Sequence, residues 1–427
     1  MESLRAGMAE VVITPPVGVR LSGYADRTSP STGILDELYC KALVLDDGTR
    51  RLALVVCDVL GLSRSICAAV RAAVTARTGI PAAQVMVTAI HTHSGPDMDL
   101  LEETAIDHMV AQAAGAVSAA IASLGEARIG FGAGECAAGV NRRNPRSPGI
   151  AYHLYSYPEG TMDTRLLVLS VLDAAGLPLG AVVNYACHPV SLGWEELNIS
   201  KDWVEFTCRV LKGAWGPRAV PLFLQGCAAN INPRWVYDKP DADPILPPDW
   251  PAPLADRMRE VRRLGNMVGG EALNAASSIM RYQAGAALDA RLVEVKLPVR
   301  PDLPRSMRES RDESRPQGKY PGLHERLVKG PREIVTDVQV FRIGDAWLVG
   351  LPGEIMVEYQ IELRSRIASP WVFVSSLCGD SIGYIHTPAS VQEGGYEPNA
   401  SYVVPEAGAM LVRAVLDAVA SLQGKAS

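Results

Sequence analysis

His91 and His93 flank a single threonine directly after the apolar run VMVTAI, and a His-x-His pair is a chemically capable arrangement. In an extended backbone, residues two apart point to the same side, so both imidazoles can face one pocket. Neutral imidazole nitrogens suit zinc. The same pair could equally be two polar residues in a loop, and Ser94-Gly95-Pro96 marks a tight turn beside them. His188 follows AVVNYAC and precedes Pro189, which biases it toward an extended conformation at a strand end; it reads as a ligand or as a satisfied histidine at a sheet edge. Glu354 follows AWLVGLPG, where a carboxylate could bind a metal or complement a helix dipole. Tyr384 follows WVFVSSLCGDSIG, a place where tyrosine is common without function. Asn230 and Asn232 follow VPLFLQGCA, and Asp58 follows LALVVC. Each residue alone is ambiguous; what unites them is their place just beyond apolar runs.

Those runs predict the positioning elements. Strands are expected at Leu52–Cys57, Val85–Ile90, Ala181–Cys187, Val220–Gln225, Ala346–Leu351 and Trp371–Ser376, with helices near Arg64–Ala76, Leu100–Leu124, Leu254–Arg281, Ile355–Ile367 and Ala407–Leu422. The alternation implies an α/β fold, a mixed sheet core with flanking helices, and a site at the strand C-terminal ends, where loops converge above a rigid sheet. Two stretches break the pattern, near 237–253 and 300–332, and read as surface excursions. Asp202 is expected to cap a helix. His108 falls in a helical pattern, and His153 and His324 in loops, so none of the three is a candidate.

The chain has 427 residues, 48% hydrophobic and 21% charged, enough for a large buried core. A net charge of -6 without a clustered basic block argues against nucleic acid as a partner. Eight scattered cysteines with no CxxC pair read as reduced core residues. The first residues lack the pattern of a signal peptide, and no run of eighteen apolar residues occurs, so the expectation is a cytoplasmic protein without stable membrane insertion.

The segments ITPP with GYADR, AIHTHSGP, GVNRR, NYACHPVSL, LPGE and GYIHTPASVQEGGYEP occur in this order from roughly Ala6 to Ser401. Together they resemble the neutral, non-lysosomal ceramidase family. The resemblance implies a single ceramidase-like catalytic domain over 1–427, without the C-terminal immunoglobulin-like domain of full-length ceramidases. It implies one zinc ion per chain, held by His91, His188, Glu354 and Tyr384. His93 would act near the metal, Tyr396 in GGYEP matches a further active-site tyrosine, and Arg142 matches the family's arginine, with adjacent Arg143 leaving the register open by one. The family serine of an Asn/Asp-x-Ser-Pro segment is replaced by Asn232, which has no nucleophilic hydroxyl. His386 stands where the family more often has a small polar residue.

From these assignments the expected reaction is hydrolysis of a linear amide of the N-acyl amine type, on a small soluble substrate rather than ceramide. Zinc would activate water, Tyr396 would stabilise the oxyanion and His93 would shuttle the proton. Arg142 would anchor a carboxylate or polarised oxygen. Asn232 and His386 would contact substrate. The alternatives are metal-dependent hydrolysis of an ester, lactam or phosphoester, with Asp58 and Asp97 the candidates to bridge a second metal, or a non-catalytic binding protein on the same scaffold.

Overall fold

The computed structural model describes residues 3–24, 27–144, 156–234, 254–302, 327, 330 and 332–424. The expected excursion at 237–253 and most of that at 300–332, with His153 and His324, lie outside the described residues. All six expected strands and all five expected helices are present, with ends shifted by a few residues.

Apolar residues at alternate positions build the principal sheet. The strands Tyr39–Asp46 and Arg51–Cys57 pair antiparallel from Cys40 opposite Cys57 to Asp46 opposite Arg51. Between them Asp47 Oδ1 accepts the amides of Thr49 and Arg50, a side-chain turn that sets the register. The full sheet has eight strands, in the order Val220–Gln225, Pro178–Tyr185, Arg165–Asp173, Gly125–Glu135, Arg5–Val12, Tyr39–Asp46, Arg51–Cys57 and Val85–Ala89. Pairing is parallel at the two outer pairs and antiparallel between them. A second sheet has four strands, Leu288–Pro298, Glu333–Ile343, Ala346–Gly350 and Val372–Ser375.

The two faces of each strand go to different layers. Leu43, Leu45, Leu52 and Leu54 of the first sheet meet Phe341, Ile343 and Phe373 of the second. Ala42, Val44, Ala53 and Val55, one residue out of phase, meet the helices Arg64–Thr78 and Glu103–Ala122. On the far side of the second sheet, Val338 and Val340 pack on Leu411 and Val415 of the helix Ala407–Gln423. Full burial of each such side chain stabilises by roughly 1.5–3 kcal/mol before the entropy of ordering is subtracted. The layers therefore run helix, sheet, sheet, helix. The helix Glu103–Ala122 is long and apolar enough to cross a membrane, but Met109, Ala113, Val117 and Ala120 are buried in this core. All eight cysteines are buried and free, as their apolar settings imply.

In strand order the two edges of the large sheet run antiparallel, yet their C-terminal ends meet. The segment following Val372–Ser375 joins them: Ala89 N donates to Leu377 O and Gly379 N to Val87 O on one edge, while Ser376 N donates to Gln225 O on the other. The curled sheet thus brings the ends of Val85–Ala89, Val220–Gln225 and Val372–Ser375 to one place. Leu377, at this junction, has a left-handed φ of 54°.

Candidate metal centre

The chain leaves Val85–Ala89 through Ile90 and turns sharply at His91, whose φ of 69° is uncommon for a residue with a side chain. Such strain costs of order 1–3 kcal/mol and persists only where the surroundings impose it. They do so here through His91 N, which donates to Val59 O at 3.0 Å, and His91 Nδ1, which donates to Leu60 O at 2.9 Å. A carbonyl can only accept, so the proton sits on Nδ1 and Nε2 of the neutral ring turns its lone pair inward. His188 repeats the device. Its Nδ1 donates to Ile231 O at 3.1 Å, and its carbonyl is held by Trp203 Nε1 at 3.0 Å. Trp203 starts a helix capped by Asp202, as expected from sequence, and the second carboxylate oxygen of Asp202 accepts Leu192 N at 2.8 Å.

Glu354 arrives from the other sheet. The short strand Glu354–Ile355 pairs in parallel with Tyr384–Ile385, so Glu354 and Tyr384 stand side by side. Glu354 Oε2 lies 3.3 Å from both His91 Nε2 and His188 Nε2. Burial opposes ionisation of this carboxyl, yet the adjoining imidazoles of His91 and His188 hold it well below the usual carboxylate range. Burial, reinforced by Arg142, lowers His188 to about 4.

His93 differs from the other two histidines. Its Nε2 is 3.4 Å from His91 Nε2, and ring nitrogens of all three histidines lie within 4.8 Å of one another. Its buried Nδ1 has no hydrogen-bond partner. Burial and the two neighbouring imidazoles push its pKa well below that of an ordinary histidine. The GYADR segment makes its niche: a Cβ on Gly23, where φ is 95°, would stand 2.5 Å from the His93 ring. Tyr24 meets that ring edge-on at 4.9 Å. Arg27, 3% exposed, donates to the carbonyls of Ser22, His93, Gly193 and Trp194.

The opposite wall consists of Tyr384, Tyr396 and Arg142. The tyrosine rings meet edge-on at 5.3 Å. Burial, then Glu354 and Tyr396, push the Tyr384 phenol well above its ordinary value, so it is a neutral phenol unless a cation joins it. Of the two adjacent arginines, Arg142 is the one that reaches Tyr384, its terminal nitrogen 3.5 Å from the hydroxyl. Its other donors are engaged by Glu397 Oε1 at 2.9 Å and Asn232 Oδ1 at 3.1 Å. Arg142 thus holds Glu397 and Asn232 while one terminal nitrogen faces the Tyr384 hydroxyl. Asn232 is fully buried behind the arginine. His386 is buried with Nδ1 unpartnered; burial, with Arg300 and Arg143 nearby, lowers it to about 4. Glu397, which adjoins Tyr396, is a further buried residue of this wall.

Asp58 and Asp97 stand apart from the cluster. Asp58 Oδ2 accepts Tyr39 N at 2.9 Å and lies near Lys41 and Lys201; Asp97 Oδ1 accepts Asp99 N at 3.2 Å. The residues that do converge suit a tetrahedral cation. Zinc bonds of about 2.0–2.1 Å place neighbouring donors about 3.3 Å apart, the spacing of Glu354 Oε2 from both imidazoles. With both Nδ1 atoms donating to backbone carbonyls, His91 Nε2, His188 Nε2 and Glu354 Oε2 face one another and can all turn lone pairs to one cation. Metal-ligating histidines almost always donate their other N–H; His91 and His188 do, and His93 does not.

The family described as neutral/alkaline non-lysosomal ceramidase, N-terminal, matches residues 5–211. This stretch of the chain is similar to that family. His91, His93, Arg142 and His188 fall within the matched residues, and Glu354, Tyr384 and Tyr396 beyond them. Two solved structures share the fold. The neutral ceramidase from Pseudomonas aeruginosa is 21% identical, with a TM-score of 0.80 over 100% of this chain and 75% of that one. A ceramidase complexed with C2 is 20% identical, with a TM-score of 0.78 over 100% and 76%. His91, His93 and His188 could hold a metal ion.

Proposed function

We propose that the chain is a zinc-dependent amidohydrolase that cleaves a small, soluble N-acyl amine. The observation that carries this reading is the convergence of two imidazoles, each with Nδ1 on a backbone carbonyl, on one ionised carboxylate at 3.3 Å. His91, His188, Glu354 and Tyr384 would hold the ion, which when bound supplies a Lewis acid that polarises the amide carbonyl and lowers the pKa of water.

The remaining roles belong to side chains. His93 is kept neutral by burial and has an unpartnered nitrogen, so it can take a proton on one side of the cluster and deliver it to the departing amine. Tyr396, whose ring packs against that of Tyr384, supplies a hydroxyl donor for the oxyanion. Arg142 presents one terminal nitrogen to the same region while Glu397 balances its charge. Asn232 offers no hydroxyl for an acyl-enzyme, which favours direct attack by water.

Elemental analysis and a panel of N-acyl amines, matched esters, lactams and phosphoesters test the reading. One zinc per chain and turnover confined to linear amides is the expected result. Turnover of phosphoesters alone, or undiminished amide turnover after complete removal of metal, would overturn it.

A further inference from the structure

Glu397 is 1% exposed, and each of its carboxylate oxygens faces a different arginine. Oε1 accepts Arg142 Nε at 2.9 Å, and Oε2 accepts Arg143 at 2.6 Å. Arg143 is itself fastened to the segment before Glu397, donating to Ser390 O at 3.2 Å, Gly394 O at 2.7 Å and Glu393 at 3.0 Å. A buried carboxylate between two guanidiniums is costly to disturb, because removing one partner leaves a charge without its counterpart. The residue preceding Glu397 is Tyr396, and the arginine it orients ends at Tyr384. Asn232 Oδ1 takes the other side of the Arg142 fork at 3.1 Å.

We propose that Glu397 is a positioning residue, whose carboxylate, shared between Arg142 and Arg143, aims the Arg142 fork at the oxygen of Tyr384 and fixes the adjoining Tyr396 ring against it. The inference rests on the reading of Tyr384 as a metal ligand. On that reading the carboxylate acts at a distance from the metal: it holds Arg142 so that one guanidinium nitrogen stays against the Tyr384 oxygen. A charge-assisted donor on a metal-bound phenolate draws electron density from the oxygen and tunes its bond to the metal.

The test uses the full chain loaded with Cu(II), whose phenolate ligands give a charge-transfer absorption band, alongside steady-state kinetics on the zinc form. The wild type is expected to show the band and Tyr384→Phe to lack it. Glu397→Gln keeps the shape but sets an amide NH2 against one guanidinium. It should shift or weaken the band and lower kcat on the order of 10- to 100-fold with KM nearly constant, the usual loss for an outer partner of a metal site. Arg143→Met, which leaves Arg142 on Glu397, should give a smaller change in the same direction and covers the case in which Glu397→Gln fails to fold. An unchanged band and unchanged kcat in both variants, with only the unfolding temperature lowered, would overturn the proposal and reduce Glu397 to a structural ion pair. A wild-type protein that binds copper through the imidazoles without the band would instead remove Tyr384 from the ligands, and the proposal with it.

Discussion

The two walls of the centre are held by different means. The imidazole wall is fixed from the backbone: His91 and His188 each give Nδ1 to a carbonyl, and His91 is locked in a left-handed turn. The phenol wall is fixed by side chains: Tyr384 and Tyr396 meet each other and Arg142, which depends on Glu397 and Asn232. Backbone anchoring suits groups that must not move when a metal enters. Side-chain anchoring suits groups that respond to charge developing on a substrate. The difference implies that loss of an imidazole costs the metal, whereas loss of the groups of the second wall that are not ligands, Tyr396 and Arg142, costs turnover.

The largest expected effect comes from the first wall. His188→Ala should purify with little zinc and with activity at background, because it deletes a donor and leaves Glu354 without one of the imidazoles that hold it ionised. Elemental analysis against the wild type checks this, and full zinc occupancy in the variant would erase the distinction between the walls. Tyr396→Phe probes the second wall. It should keep its zinc and a near-normal KM while kcat falls by about 10²–10³, as when one oxyanion donor is removed. Loss of metal in this variant would assign Tyr396 to the wrong wall.

The smallest effect sharpens the comparison through pH. Burial pushes the Asp202 carboxyl, which braces the loop behind His188, from 3.8 up to about 6, against its backbone hydrogen bonds. Its folded-state value lies above the unfolded one, so folding binds a proton there. That contribution is fully present below about pH 3.8 and is lost as the pH rises through about 6. Asp202→Asn does not titrate and tolerates the positive φ of 56°. The gap in unfolding temperature between wild type and variant should therefore narrow from pH 4 to pH 8; a constant gap would mean that Asp202 is ionised throughout.

The elements that frame the centre were largely legible because they are short, apolar and followed by polar residues, as at Val85–Ala89 before His91. Others were not. Gly125–Glu135 has the sequence GEARIGFGAGE, poor in strand formers; Gly132 is needed because the helix Leu254–Ser277 lies close, with Ala275 O 2.4 Å from where its Cβ would stand. The apolar alternation of the strand Leu288–Pro298 is broken by charged residues, and its pairing is set by long-range contact with Glu333–Ile343. Within the site, the residue types that bind metals could be read from their positions after strands. The left-handed turn at His91 could not, since its cause is a hydrogen bond to Leu60 more than thirty residues away. Glu397 was hidden for the same reason: its partners lie about 250 residues earlier in the chain. The GGYEP motif held the one signal that could have found it, an acidic residue beside the tyrosine.

The central claim is that one metal joins the two walls. Anomalous diffraction at the zinc edge from crystals of the zinc-loaded protein tests it most directly. A single peak is predicted within about 2.0–2.2 Å of His91 Nε2, His188 Nε2, Glu354 Oε2 and the Tyr384 oxygen, with His93 outside bonding distance. A peak bound by three imidazoles with Tyr384 turned away, or no peak between the walls, would contradict the account.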